Sequence, residues 1–102
     1  MADSRMVKEG KQVQGIYERI RYIINTSEWS TSTPTSATLR LIDMDDLSDV
    51  TATKSTGSCS ISTTYITTPL IHSLVAGHNY RAYILFVVDT NTLETFIWIE
   101  GE

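Results

Sequence analysis

Apolar and polar residues alternate along most of this chain with the two-residue period of a β-strand. The longest such run covers residues 80–88, where Tyr80, Ala82, Ile84, Phe86 and Val88 fall on one side and Arg81, Tyr83, Leu85 and Val87 on the other. β-Branched and aromatic residues fill both sets, and successive side chains of a strand point to opposite faces. Turn chemistry brackets the run, with Ala76-Gly77 before it and Asp89-Thr90-Asn91-Thr92, read as a hairpin turn, after it. The flanks therefore favour a strand over a buried helix.

The rest of the chain reads the same way. Residues 16–25 form a strand with Ile20, Tyr22 and Ile24 on one face and Arg19 and Arg21 on the other. A polar segment runs on to Ser36, in which Trp29 is expected to fold back over the end of the core and Pro34 to prevent central pairing. Residues 38–43 follow as a strand with Ala37, Leu39 and Leu41 inward, then an acidic connector over 43–49. Short strands are predicted over 50–54, 58–62 and 65–67, with Pro69-Leu70-Ile71 leading into the long strand and 93–100 closing the domain. Residues 1–15 are read as a flexible N-terminal arm or edge strand, with pairing near 11–14, and residues 16–102 as the domain. About seven short strands separated by turn signals predict an all-β sandwich of two sheets.

The spacing Leu74-x-x-Gly77-x-x-Tyr80 sharpens that fold. Gly77 can take positive φ without steric cost and turn the chain just before the long strand. Tyr80 then starts the strand with its ring toward the core and its hydroxyl free to return to the backbone upstream, while Leu74 plugs the core. This pattern resembles the corner of fibronectin type III and related immunoglobulin-like domains. The competing reading is an ordinary loop glycine beside an ordinary core tyrosine.

Length and charge narrow the function classes. At 102 residues the chain makes one domain with a single core. A net charge of −4 argues against a protein that tracks nucleic-acid phosphates. No apolar run reaches membrane-spanning length and no secretory signal opens the chain. Cys59 is the only cysteine, which makes a reducing compartment the default. Ser and Thr make up roughly a quarter of the residues, a composition suited to solvated strand faces and turns.

Catalytic and metal chemistry find little support at this level. Asp43, Asp45, Asp46 and Asp49 offer carboxylates, but the connector lacks the glycine and distal glutamate of a calcium loop. His72 and His78 have no partner at fixed sequence spacing and read as surface loop residues, and Cys59 reads as a small buried hydrophobe in a strand. Asn25-Thr26-Ser27 matches a glycosylation acceptor that is expected to stay idle. The expectation is a non-enzymatic protein with no cofactor, no metal and no catalytic residue.

The outer face of the last hairpin is the feature that points to a role. If Tyr80 and its set face the core, then Tyr83, Leu85 and Val87 face out, and the strand over 93–100 leaves large apolar groups on both sides, Phe96 and Trp98 among them. A solvated sheet face would be polar there. Such a patch marks an interface, so Tyr83, Leu85, Val87, Phe96 and Trp98 are the interface candidates, for self-association or a protein partner. The competing reading is that Met6, Val7 and Val13 of the arm cover the face. A glycan-binding module using Trp29, Tyr65 or Trp98 as stacking platforms is the second functional reading. Neither nucleic acid nor membrane is expected as a partner.

A resemblance adds context. The segments Lys11-Gln12-Val13-Gln14-Gly15, Glu18-Arg19-Ile20-Arg21-Tyr22, Thr26 to Trp29 with Pro34-Thr35-Ser36, Asp49-Val50-Thr51-Ala52-Thr53, Ile66-Thr67-Thr68-Pro69-Leu70 and Leu74 through Arg81 carry it. Together they resemble a family of small proteins encoded in tailed-bacteriophage and prophage genomes, within or near the virion-structure genes. The resemblance implies an immunoglobulin-like domain, a minor structural or assembly component, located in the virion or the host cytoplasm. It carries no active-site motif.

Overall fold

The computed structural model describes residues 3–6, by their backbone, and residues 10–102. Among these the elements run β1 (Asp3–Met6), β2 (Lys11–Gln14), β3 (Ile20–Asn25), β4 (Ser36–Asp43), β5 (Ser48–Asp49), α1 (Thr51–Lys54), β6 (Ser55–Thr56), β7 (Ser60–Ser62), β8 (Tyr65–Thr67), β9 (Leu70–Ile71), β10 (Asn79–Val88) and β11 (Asn91–Gly101). The chain is an all-β sandwich of two sheets. One holds β2-β11-β10-β4-β5, and the other holds β6-β9-β3-β8-β7 with β1 alongside β3.

β10 is the hub. It pairs antiparallel with β11 from Asn79↔Glu100 to Val88↔Asn91, and with β4 from Tyr80↔Asp43 to Val87↔Ser36. Its inward set Tyr80, Ala82, Ile84, Phe86 and Val88 is buried, and Leu41, Ile97 and Ile99 extend the same layer. Ile20, Tyr22, Ile24, Ile66 and Ile71 meet them from the other sheet. Each large apolar side chain removed from water in this way contributes about 1.5–3 kcal/mol before the entropy of ordering it is counted.

The β8 and β9 segments are one lane with an extra residue. Ile23 faces Thr67 while Ile20 faces Ile71, so between these pairs two residues of β3 oppose three of the other strand. Pro69, which has no N–H, sits in this bulge, and the Thr68 side chain takes over its neighbour's pairing. Tyr22 N–H donates to Thr68 Oγ1 at 3.0 Å, and Thr68 N–H donates to the Tyr22 carbonyl at 2.8 Å.

Gln14 ties the sheets together. It is fully buried at the end of β2, in the sheet of β11, and its amide reaches the other sheet. Its Nε2 donates to the Ile71 carbonyl at 2.8 Å and the Glu18 carbonyl at 3.1 Å, while its Oε1 accepts the Tyr22 hydroxyl at 3.0 Å. Among the described residues no buried side-chain polar atom lacks a partner.

The corner is a knot of backbone and phenol. Gly77 takes φ +83, Leu74 is buried, and the fully buried Tyr80 accepts the Val75 N–H on its hydroxyl at 2.9 Å. His78 N–H closes the turn on the Val75 carbonyl at 3.1 Å. Gly101 passes against it, donating to the His78 carbonyl and accepting the Gly77 N–H, both at 2.9 Å.

Several expectations need correction. The strand over 16–25 starts only at Ile20, because Glu18 N–H bonds the Gly15 carbonyl and its carboxylate returns to Gly15 N–H, a turn that leaves Tyr17 in solvent. Residues 51–54 form one helical turn instead of a strand. Lys54 N–H closes it on the Val50 carbonyl, and Asp49 Oδ1 accepts from both the N–H and the hydroxyl of Thr51, local bonds that outcompete a ladder. Cys59 lies half-buried between β6 and β7, outside any strand. The hairpin turn shrinks to Asp89 and Thr90, since Val88 already pairs with Asn91, and Asp89 adopts φ +55, which Asp tolerates better than most residues.

Candidate interaction surface

The strand register assembles the outer face of the five-stranded sheet. Tyr83 stands opposite Phe96 and Arg81 opposite Trp98 across β10 and β11, while Arg40 of β4 flanks Tyr83. The parallel pairing of β2 with β11 brings Lys11 beside Trp98. The Tyr83 and Phe96 rings lie 5.9 Å apart at a 48° tilt. A cation lies over each ring: Arg40 5.3 Å from Tyr83, Arg81 4.7 Å from Phe96 and Lys11 5.8 Å from Trp98. Lys11 also pairs with Glu100, and the Trp98 indole N–H donates to Asn79 Oδ1 at 3.2 Å.

Alternation assigns five residues to this face. Phe96, Trp98 and Leu85 are 47%, 46% and 43% exposed, and Tyr83 and Val87 are half-buried beside them. Thr38, Arg40, Tyr83, Leu85 and Glu94 line a shallow hollow of about 180 Å³. Val13 is exposed on β2 at the margin of the face, while Val7 and the Met6 side chain lie outside the described residues. The three cations went unnoticed in sequence because each covers a ring on another strand. Glu94 and Glu100 of β11 and Asp49 of β5, next to Arg40, offset the three cations on this face. Aromatic residues and arginine are the types enriched in protein interfaces.

The other aromatic candidates lie elsewhere. Trp29 packs on Phe86, ring centres 5.8 Å apart, and closes the end of the core with half its surface exposed. Tyr65 belongs to β8 in the opposite sheet from Trp98.

A second cluster gathers at the corner. His78, read from sequence as a partnerless loop residue, bonds through Nδ1 to Asp43 Oδ2 at 2.8 Å and stands 3.7 Å from Asp45 Oδ2. Its partner is 35 residues upstream, beyond any local motif. The hydrogen bond to Asp43 holds the His78 pKa above its ordinary value. The remaining aspartates of the connector are occupied locally, Asp46 by Ser48 and Asp49 by Thr51. His72 contacts the hydroxyls of Thr56 and Ser73, and burial draws its pKa down, with Arg19 and Lys54 adding to the effect. Burial pushes the Cys59 thiol up to about 11, far from a nucleophile's range.

No protein-family model, curated protein or solved structure matches the chain. Among the described residues no helix is long and apolar enough to cross a membrane.

Proposed function

We propose that this chain is a non-enzymatic interaction module with an immunoglobulin-like fold, which docks protein through the outer face of its five-stranded sheet. The observation that carries the docking is the row Tyr83, Phe96 and Trp98, each with a cation over its ring, Phe96 and Trp98 also about half exposed. Strand order supports the fold. Counting β6–β7 and β8–β9 as single lanes and β5 as an extra edge strand on β4, the other lanes from β2 to β11 correspond to A through G. The pairings B-E-D and C-F-G then follow, with the first lane moved to the edge of β11. The resemblance to small phage and prophage proteins supports a minor virion or assembly role.

A second copy of the chain is the first partner to test, since Glu94 and Glu100 lie beside Arg40, Arg81 and Lys11 and make the face complementary to itself. Light scattering across a concentration series should show self-association that Leu85→Lys abolishes. A monomer at high concentration, with Leu85→Lys no more soluble than the parent, refutes the docking reading. Carbohydrate or cell-surface binding is the second reading, favoured by the fixed, half-exposed indole of Trp98, and a glycan array tests it directly.

A further inference from the structure

The corner of the sandwich holds an unusual charge balance. Asp43 is 4% exposed, and a carboxylate at that depth needs a compensating positive charge. Among the described residues no lysine or arginine lies within ion-pair distance of it. Its carboxylate neighbour is Asp45, whose Oδ2 approaches the same imidazole. Two carboxylates therefore share one histidine.

We propose that Asp43, Asp45 and His78 form a binding site for a borderline divalent cation of the zinc class. Their ligand atoms all lie within 4.8 Å of one another. The two segments that carry them are fixed by backbone, through the pair Tyr80↔Asp43 and the bond from Met44 N–H to the Asn79 carbonyl at 2.8 Å. The buried ligand is aimed as well. Asp45 N–H holds Asp43 Oδ1 at 3.0 Å and leaves Oδ2 turned toward His78 Nδ1.

Both distances to the imidazole fit with small movements. Nitrogen and oxygen ligands at about 2.0–2.2 Å from a tetrahedral zinc stand roughly 3.4 Å from each other. The contact of 2.8 Å between His78 and Asp43 opens by roughly 0.6 Å and that of 3.7 Å to Asp45 closes by roughly 0.3 Å, both within side-chain rotation. Asp45 and His78 are partly exposed, so ions can enter and water can take the fourth position. One imidazole with two carboxylates favours zinc over calcium, which takes six to eight oxygens.

Calorimetric titration with zinc chloride in a non-chelating buffer tests the site. One zinc per chain should bind and raise the thermal midpoint. Asp45→Asn, at an exposed position that spares the fold, and His78→Ala should each weaken binding about tenfold or more, with circular dichroism verifying folding. His72→Ala should leave binding unchanged, and calcium chloride should give no comparable heat. Absence of saturable zinc binding overturns the proposal. So does calcium binding as tight as zinc, loss of binding in His72→Ala alone, or zinc affinity unaltered in folded His78→Ala.

Discussion

Alanine at Gly101 probes the close approach of two backbone segments at the corner. A Cβ built there sits 2.3 Å from the Val75 carbonyl oxygen, 3.1 Å from its carbon and 3.3 Å from Leu74 Cβ. The obstacle is backbone, clamped on one side by the Tyr80 hydroxyl and on the other by His78 N–H, so it cannot swing aside. Two escapes exist. The corner can shift as overpacked sites do, at about 1–3 kcal/mol. Alternatively the strand end can peel away, which breaks the bonds of Gly101 to His78 and Gly77 and those of Glu102 to Gln14 and Ile16. Four hydrogen bonds at about 1 kcal/mol each put that route near 4 kcal/mol. The chain takes the cheaper route, so Gly101→Ala should lose about 2 kcal/mol, a sizeable share of the ~5–15 kcal/mol that holds a small domain together. Urea titration followed by tryptophan fluorescence measures it. Gly77→Ala is the internal comparison. Nothing lies within 4 Å of a Cβ there, and only its φ of +83 is unfavourable, a conformational cost of about 1–2 kcal/mol. A Gly101→Ala midpoint that matches the parent to within about 0.5 kcal/mol, with unchanged slope, would refute the steric reasoning.

Three further outcomes follow from the same geometry. Gln14→Leu removes the acceptor of the Tyr22 hydroxyl and the donors to Ile71 and Glu18, and should cost about 2–4 kcal/mol. At roughly 4–8 °C per kcal/mol for a domain of this size the melting midpoint should drop by well over 5 °C, and a drop of less than about 3 °C counts against the inter-sheet tie. Cys59, its thiol raised to about 11 by burial, should label slowly with a disulfide reagent near neutral pH and rapidly once unfolded; immediate native labelling contradicts the burial. The hydroxyl and N–H of Thr51 hold the Asp49 carboxyl below its ordinary pKa, so the ionised form is favoured by folding. That stabilisation is complete above the unfolded value of about 3.9 and is lost as pH falls through the lower folded one. Asp49→Asn should therefore flatten the acid limb of the stability curve, and an unaltered limb counts against a stabilising role for the bonds from Thr51.

What local sequence records and what it cannot divide along a physical line. The core set of β10 is legible because period two, β-branched content and flanking turn residues are all local properties. The start of β3 at Ile20 and the helical turn at Thr51–Lys54 are not legible locally, since Glu18, Asp49 and Thr51 satisfy backbone groups with side chains that resemble ordinary polar filler. Gln14 reads as a solvated strand residue, and only the parallel docking of β2 on β11 reveals it as a buried bridge. The link of His78 to Asp43 spans 35 residues and depends on which β4 position faces Tyr80. Gly101 stayed unremarked because its need for a missing side chain comes from Val75, at the other end of a corner.

The register that closes the core also decides what the outer face must be. With Ile97 and Ile99 buried, period two leaves Phe96 and Trp98 outside, and a slip of one residue would exchange the sets. Trp98 could not replace isoleucine between the sheets without overfilling a layer already closed by Tyr22, Tyr80 and Phe86. The rings are thus held outward by the packing on the opposite side of the same strands. Exposure on that scale invites uncontrolled association, and Arg40, Arg81 and Lys11 counter it by covering ring faces with well-solvated cations. Removing those cations should therefore promote association without specificity, whereas removing the rings should abolish it. Arg81→Ala compared with Phe96→Ala, assayed by light scattering at equal concentration, separates the two. Equal behaviour of both variants would show that the cations and rings do not act as opposed parts of one surface.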